Sequence, residues 1–120
     1  MKTFVIEGNN FHDYSGLCKE FNRTVFHDLL QWNGTLDAFN DLLRDIEGTI
    51  IWKNFAQSKK TLSYSETIKL LRERLEYCHP SNIPFVREKL KKAELGMGPT
   101  VLDWILEIIS EDENVALILE

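Results

Sequence analysis

The sequence predicts a small α/β domain: a parallel three-stranded sheet with helices packed on it. Three observations carry that expectation. Strand-like runs stand at the start, middle and end of the chain, Lys2–Glu7, Thr49–Trp52 and Val115–Leu119. Segments of helical periodicity separate them, so the strands pair in parallel through crossovers. The chain has 120 residues, 43% of them hydrophobic, enough for one core without disulfide or metal staples.

Lys2–Glu7 alternates toward Phe4 and Ile6 and is closed by the turn residues Gly8-Asn9-Asn10. Asp13 or Ser15 can cap the next element, a helix with Leu17, Cys18, Phe21 and Val25 on its apolar stripe. That position makes Cys18 buried filler rather than a reactive thiol. Asn33-Gly34 breaks the chain, and Thr35 can cap an amphipathic helix. Leu36, Phe39, Leu42, Leu43 and Ile46 take its inner face, while Asp37, Asn40, Asp41, Arg44 and Asp45 take the outer one. Gly48 ends this helix, and the β-branched and aromatic run Thr49–Trp52 suits a buried strand.

Ser63 and Glu66 have capping-box spacing before a helix carrying Ile68, Leu71, Leu75 and Cys78, which Pro80 stops. Pro84 opens another, with Val86, Leu90 and Ala93 inside and Arg87, Lys91 and Lys92 outside. Gly96-Met97-Gly98-Pro99 punctuates the chain before a helix from about Thr100. That helix is apolar nearly all round, and its one exposed stripe is Asp103, Glu107 and Glu111. Val115–Leu119 follows as a continuous apolar strand. The order of the strands in the sheet is not determined by this pattern.

Charge excludes several classes of function. The formal net charge is −5, which argues against nucleic acid or an anionic membrane as the main partner. Residues 1–48 hold eight acids and four bases, residues 49–98 ten bases and five acids, and residues 99–120 six acids and no base. MKTFVI is too short for a signal peptide and lacks a small-residue cleavage site, and no apolar run approaches a membrane span. A reduced cytoplasmic protein is the expectation, although spacing alone leaves pairing of Cys18 with Cys78 open. His12, His27 and His79 lack the spacing of a helical metal site, and phosphate loops and nucleophile elbows are absent. No metal, cofactor or enzymatic activity is expected. A carboxylate-pair hydrolase would need a cleft and desolvation that a solvated helix face does not supply. Arg87, Lys89, Lys91 and Lys92 interleave with Glu88 and Glu94 and read as a solvated face.

Asp37, Asp41 and Asp45 remain to be explained. Stacked four apart on one helix face, they repel one another and cost helix stability. Charge for solubility is one reading. A surface for a cationic partner is the other, because the last helix independently exposes only acids and both helices precede strands of the same sheet. If the two share a side, up to six carboxylates face one region with only Arg44 to offset them, which would concentrate cationic ligands there.

Leu36-Asp37-Ala38-Phe39-Asn40-Asp41-Leu42-Leu43, followed by an apolar strand and Trp52-Lys53-Asn54-Phe55-Ala56-Gln57-Ser58-Lys59, resembles the barstar-type family of ribonuclease inhibitors. The resemblance covers about residues 1–62 and 99–120, with an insertion of about one helix within residues 63–98 of a single domain. It implies a cytoplasmic inhibitor, binding one-to-one to a barnase-like or toxin ribonuclease and filling its basic active site with an acidic helix face. The same fold serving as an immunity or binding module for another basic protein is the alternative. Carried over, the partner-binding residues are Trp32, Asn33, Gly34 and Thr35 of the loop, Asp37, Asn40, Asp41 and Asp45 of the helix, and Glu107 at the rim. Asp41 matches the most deeply buried acid of the family's complexes, and Trp32 is placed to supply an aromatic contact. Asn40 and Ile46 stand where the family carries tryptophans.

Overall fold

The three strands β1 (Lys2–Glu7), β2 (Gly48–Lys53) and β3 (Val115–Leu119) form a parallel sheet in the order β1-β2-β3 in a computed structural model that describes residues 2–120. This order has a direct consequence for layering. Right-handed crossovers that advance in one direction lay both connections on the same face of the sheet. Ile6, Ile50, Trp52 and Val115 point to that face and are buried. The opposite face carries the rows Thr3–Thr49–Ala116 and Val5–Ile51–Ile118, with Val5 40% and Ile118 47% exposed. The last strand, for all its apolar composition, is therefore a half-exposed edge. Register is pinned at the start of β2, where Gly48 has φ +147° and a Cβ would collide with the Lys2 carbonyl.

The buried face packs against α1 (Tyr14–Arg23), α2 (Leu36–Leu43) and α6 (Val101–Glu111). Phe21 sits at the centre, with the rings of Phe26, Trp32, Phe39 and Trp52 5.2–5.9 Å away. Edge-to-face contacts predominate there, the geometry aromatic quadrupoles favour. Asp13, not Ser15, caps α1, accepting from the Gly16 N–H at 2.7 Å. Buried Glu20 ties α1 to the end of β1: its carboxylate accepts from the Glu7 N–H at 2.9 Å and from Arg23 at 3.0 Å.

Several boundaries differ from expectation. α1 ends at Arg23, so Val25 reaches the core from a turn. α2 stops at Leu43, and Asp45 and Ile46 lie in a tightened turn whose N–H groups bond to the carbonyls of Leu42 and Leu43, three residues back. Ile46 is nevertheless buried. A short helix, α3 (Phe55–Thr61), follows β2 with no apolar period to announce it. Its first residue is held by the Glu120 carbonyl at 3.0 Å, and buried Ser58 accepts from the Trp52 indole at 2.9 Å.

Residues 63–98 form two α-helices, α4 (Tyr64–Tyr77) and α5 (Ile83–Glu94), joined by a 3-10 turn, where the signals at Ser63 and Pro84 place them. They close on each other around Leu71, Val86 and Ala93, with Trp104 of α6 packed against the same cluster. α6 is apolar nearly all round because it divides its residues between this cluster and the core over the sheet. The Ser63–Glu66 capping box does not form, since Ser63 makes no side-chain cap bond. Glu66 is diverted to a tertiary role. Its buried carboxylate accepts from the Tyr14 N–H at 2.8 Å, the first turn of α1, and pairs with Lys69 at 2.9 Å. Thr67, fully buried, likewise accepts from the Val101 N–H at the start of α6 at 2.8 Å. Two adjacent α4 residues thus satisfy N-terminal amides of two other helices, groups that have no partner within their own helix.

Replacing Thr67 with the near-isosteric Val leaves the Val101 amide buried without an acceptor. The expected cost is about 1–3 kcal/mol, read as a lower midpoint in urea denaturation with unchanged slope.

Candidate partner-binding surface

The loop before α2 is built from below. Trp32 is 2% exposed, its indole N–H donating to the Thr35 carbonyl at 2.7 Å. Its backbone is clamped by Asn22, whose amide accepts from the Trp32 N–H at 2.7 Å and donates to the Trp32 carbonyl at 3.1 Å. Trp32, expected to offer an aromatic contact, is instead buried and serves as the floor of the loop. Above it, the Tyr14 hydroxyl donates to the Gly34 carbonyl at 2.6 Å, with the Tyr14 ring edge-on to Trp32 at 5.9 Å. Gly34 has φ +97°, a left-handed conformation that side chains resist. The Asn33 side chain accepts from the Thr35 N–H, and Thr35 in turn caps α2 by accepting from the Ala38 N–H at 3.2 Å. Asn33, Gly34 and Thr35 are presented on a fixed backbone.

α2 carries Asp37 in its first turn, where the helix dipole favours a carboxylate, and Asp41 one turn later. Both are exposed. Asp41 is 74% exposed and its one ion pair, to the similarly exposed Arg44, is 3.7 Å long. Such a pair contributes little and gives way readily. Asn40 is half-buried beside them. Asp45 is exposed but belongs to the turn after α2, so it does not continue the row of aspartates expected on one helix.

α2 packs directly on α6. Leu36, next to Asp37 in the chain, lines one shallow hollow of about 190 Å³ together with Glu107 and Glu111. Asp103 is withdrawn from the acidic stripe: it forms a capping box with Thr100, accepting from the Thr100 N–H at 2.8 Å.

Two cations missed in the sequence enter this region. Arg74 of α4 and Lys89 of α5 line the same hollow as Glu107, and the Lys89 ammonium stands 5.4 Å from the centre of the Trp104 ring. The expectation that Arg44 alone offsets the acids is therefore corrected. No local pattern marks Arg74, and Lys89 belongs to a stretch that reads as a solvated face. Only the folding back of the hairpin brings them to Glu107.

A second, larger cleft of about 910 Å³ separates α1 and residues 31–37 from α4. Asp37 and Arg74 both line it, as do Cys18 and Cys78, each a free thiol. Burial pushes the Cys18 thiol up to about 12 and raises the Tyr14 phenol well above its ordinary value. Both are thus protonated at neutral pH, and the Tyr14 hydroxyl keeps the proton it donates to Gly34.

Among the described residues, no group of three or more His, Cys, Asp or Glu side chains could hold a metal ion, and no helix is long and apolar enough to cross a membrane. No family model matches the chain, and no curated protein matches it.

Tyr14→Phe removes the bond to Gly34 and is expected to cost about 1 kcal/mol. Amide hydrogen exchange should speed up selectively at Gly34–Leu36. The thiolate of Cys18 and the phenolate of Tyr14 are favoured in the unfolded chain, so their contribution to stability is complete below about pH 9 and declines from there toward pH 12. Iodoacetamide at pH 8 should label Cys18 at least about a hundredfold more slowly in the native protein than in urea.

Proposed function

We propose that this protein is an inhibitor of a ribonuclease, acting inside the cell that makes it. It binds one-to-one and fills the enzyme's basic active site with the loop at Asn33–Thr35 and the acidic face of α2. The observation that carries this reading is the state of Asp37 and Asp41. Both carboxylates are exposed and held by nothing stronger than a 3.7 Å surface pair, on a helix whose preceding loop is fastened from beneath. Carboxylates that merely confer solubility need no such support.

The chemistry follows from charge and preorganisation. RNA phosphates bind a ribonuclease through its cationic side chains, and two carboxylates on a rigid helix can take the places of two phosphates. Because the loop and helix are ordered before contact, less conformational entropy is lost on binding. The surrounding negative field speeds arrival of a basic protein. Asp41, once desolvated against arginine or lysine, carries the largest share, since removing it strands a buried cation. The resemblance to the barstar-type inhibitors, carried by the stretches at Leu36–Leu43 and Trp52–Lys59, supports the same assignment.

Titration into a barnase-like ribonuclease, with RNA cleavage followed, is expected to give stoichiometric loss of activity that weakens steeply with added salt. Asp41→Asn should weaken inhibition about a hundredfold or more. Cleavage that persists at excess protein would reassign the surface to a basic protein of another class. Tight inhibition by Asp41→Asn would place the interface elsewhere.

A further inference from the structure

Seven cations stand on the α4–α5 hairpin. Lys69, Arg72 and Lys92 are each paired with a glutamate, at 2.9, 3.6 and 3.7 Å. Arg74, Arg87, Lys89 and Lys91 have no ion pair among the described residues. Of these four, only Arg74 and Lys89 line the depressions beside the acids. Arg74 lines both depressions, sharing the larger with Asp37 and the smaller with Glu107, and Lys89 is steadied over the Trp104 ring. Tyr77, 80% exposed, stands on the wall of the larger cleft opposite the loop. An exposed aromatic and preorganised charges are the composition of an interface rather than of an ordinary helix surface.

We infer that the α4–α5 hairpin is the second wall of the partner-binding surface and that it fits a bipolar partner: a protein whose cations face Asp37 and Asp41 and which carries an acidic side chain beside them, reaching Arg74 and Lys89. This rests on the inhibitory reading above. The argument is charge complementarity. A partner uniformly positive over the whole contact meets two unpaired cations at the edge of the acidic face, and desolvated like charges in contact oppose binding. A partner with an acid at that edge gains two charge-assisted contacts instead. Both cations come from residues 63–98, so this segment narrows the choice among basic proteins that the acids of α2 alone would attract.

The test compares inhibition of a barnase-like ribonuclease by the wild-type chain, by Arg74→Glu/Lys89→Glu, and by Lys59→Glu/Lys60→Glu. The last pair makes the same change in net charge on α3, away from both depressions. Added negative charge alone favours association with a basic enzyme, so the control is expected to inhibit at least as well as wild type. The Arg74/Lys89 reversal is expected to weaken inhibition about tenfold or more despite that advantage. The neutral pair Arg74→Gln/Lys89→Gln should fall between, and a thermal midpoint matching the control's shows that the reversed chain is folded. Equal inhibition by reversal and control, or stronger inhibition by the reversal, overturns the inference while leaving the inhibitory reading intact. Absence of inhibition by all of these chains overturns both.

Discussion

Tyr14 is held at both ends, and the architecture depends on that double attachment. Its backbone N–H is taken by the buried Glu66 carboxylate of α4 and its hydroxyl by the Gly34 carbonyl of the loop before α2. One residue thus joins three parts of the molecule: the helical layer over the sheet, the hairpin of residues 63–98, and the loop that presents the acids. The physical driver is the expense of leaving polar groups unbonded in a region shut off from water. The first amides of α1 and α6 need acceptors, the first turn of α4 supplies both, and the hairpin's position follows from meeting that need. The second hydrophobic cluster packs the hairpin against α6 through Trp104.

The charge distribution separates into two kinds. Glu20 and Glu66 are buried, multiply bonded and structural, and removing either would strand amides or cations. Asp37, Asp41 and Glu107 are exposed and almost unengaged. The surface thus sets its carboxylates on a fastened helix, while the buried ones complete the scaffold beneath, the arrangement on which the proposed binding of a cationic partner rests. Arg74 and Lys89 add a positive border to that face. A molecule with a net charge of −5 therefore does not present a uniform negative field where it is proposed to bind.

Much of the fold was legible because it depends on local regularities. Alternation in the first strand, continuous apolar runs in the other two and a period of 3.6 located the three strands and five of the six helices, and the Thr35 cap was readable as a polar residue ahead of an apolar run. α3 was not legible, since what holds it is the Glu120 carbonyl, more than sixty residues away in the chain. The same cause hid the true role of Glu66. Its spacing from Ser63 matched a capping box, but a buried amide from α1 competed for the carboxylate and won. The burial of Trp32 was not legible either, because it depends on an acceptor at Thr35 for the indole and on a place for the ring against Phe21 and Phe39.

By itself, then, the sequence determined the class of fold, the amphipathic helix and the outward direction of Asp37 and Asp41, because periodicity and solvation are properties of neighbouring residues. Tertiary structure alone decided the strand order, the single covered face of the sheet and the meeting of Glu107 with Arg74 and Lys89. Those depend on which surfaces bury one another and which amides find acceptors, and the partners lie tens of residues apart.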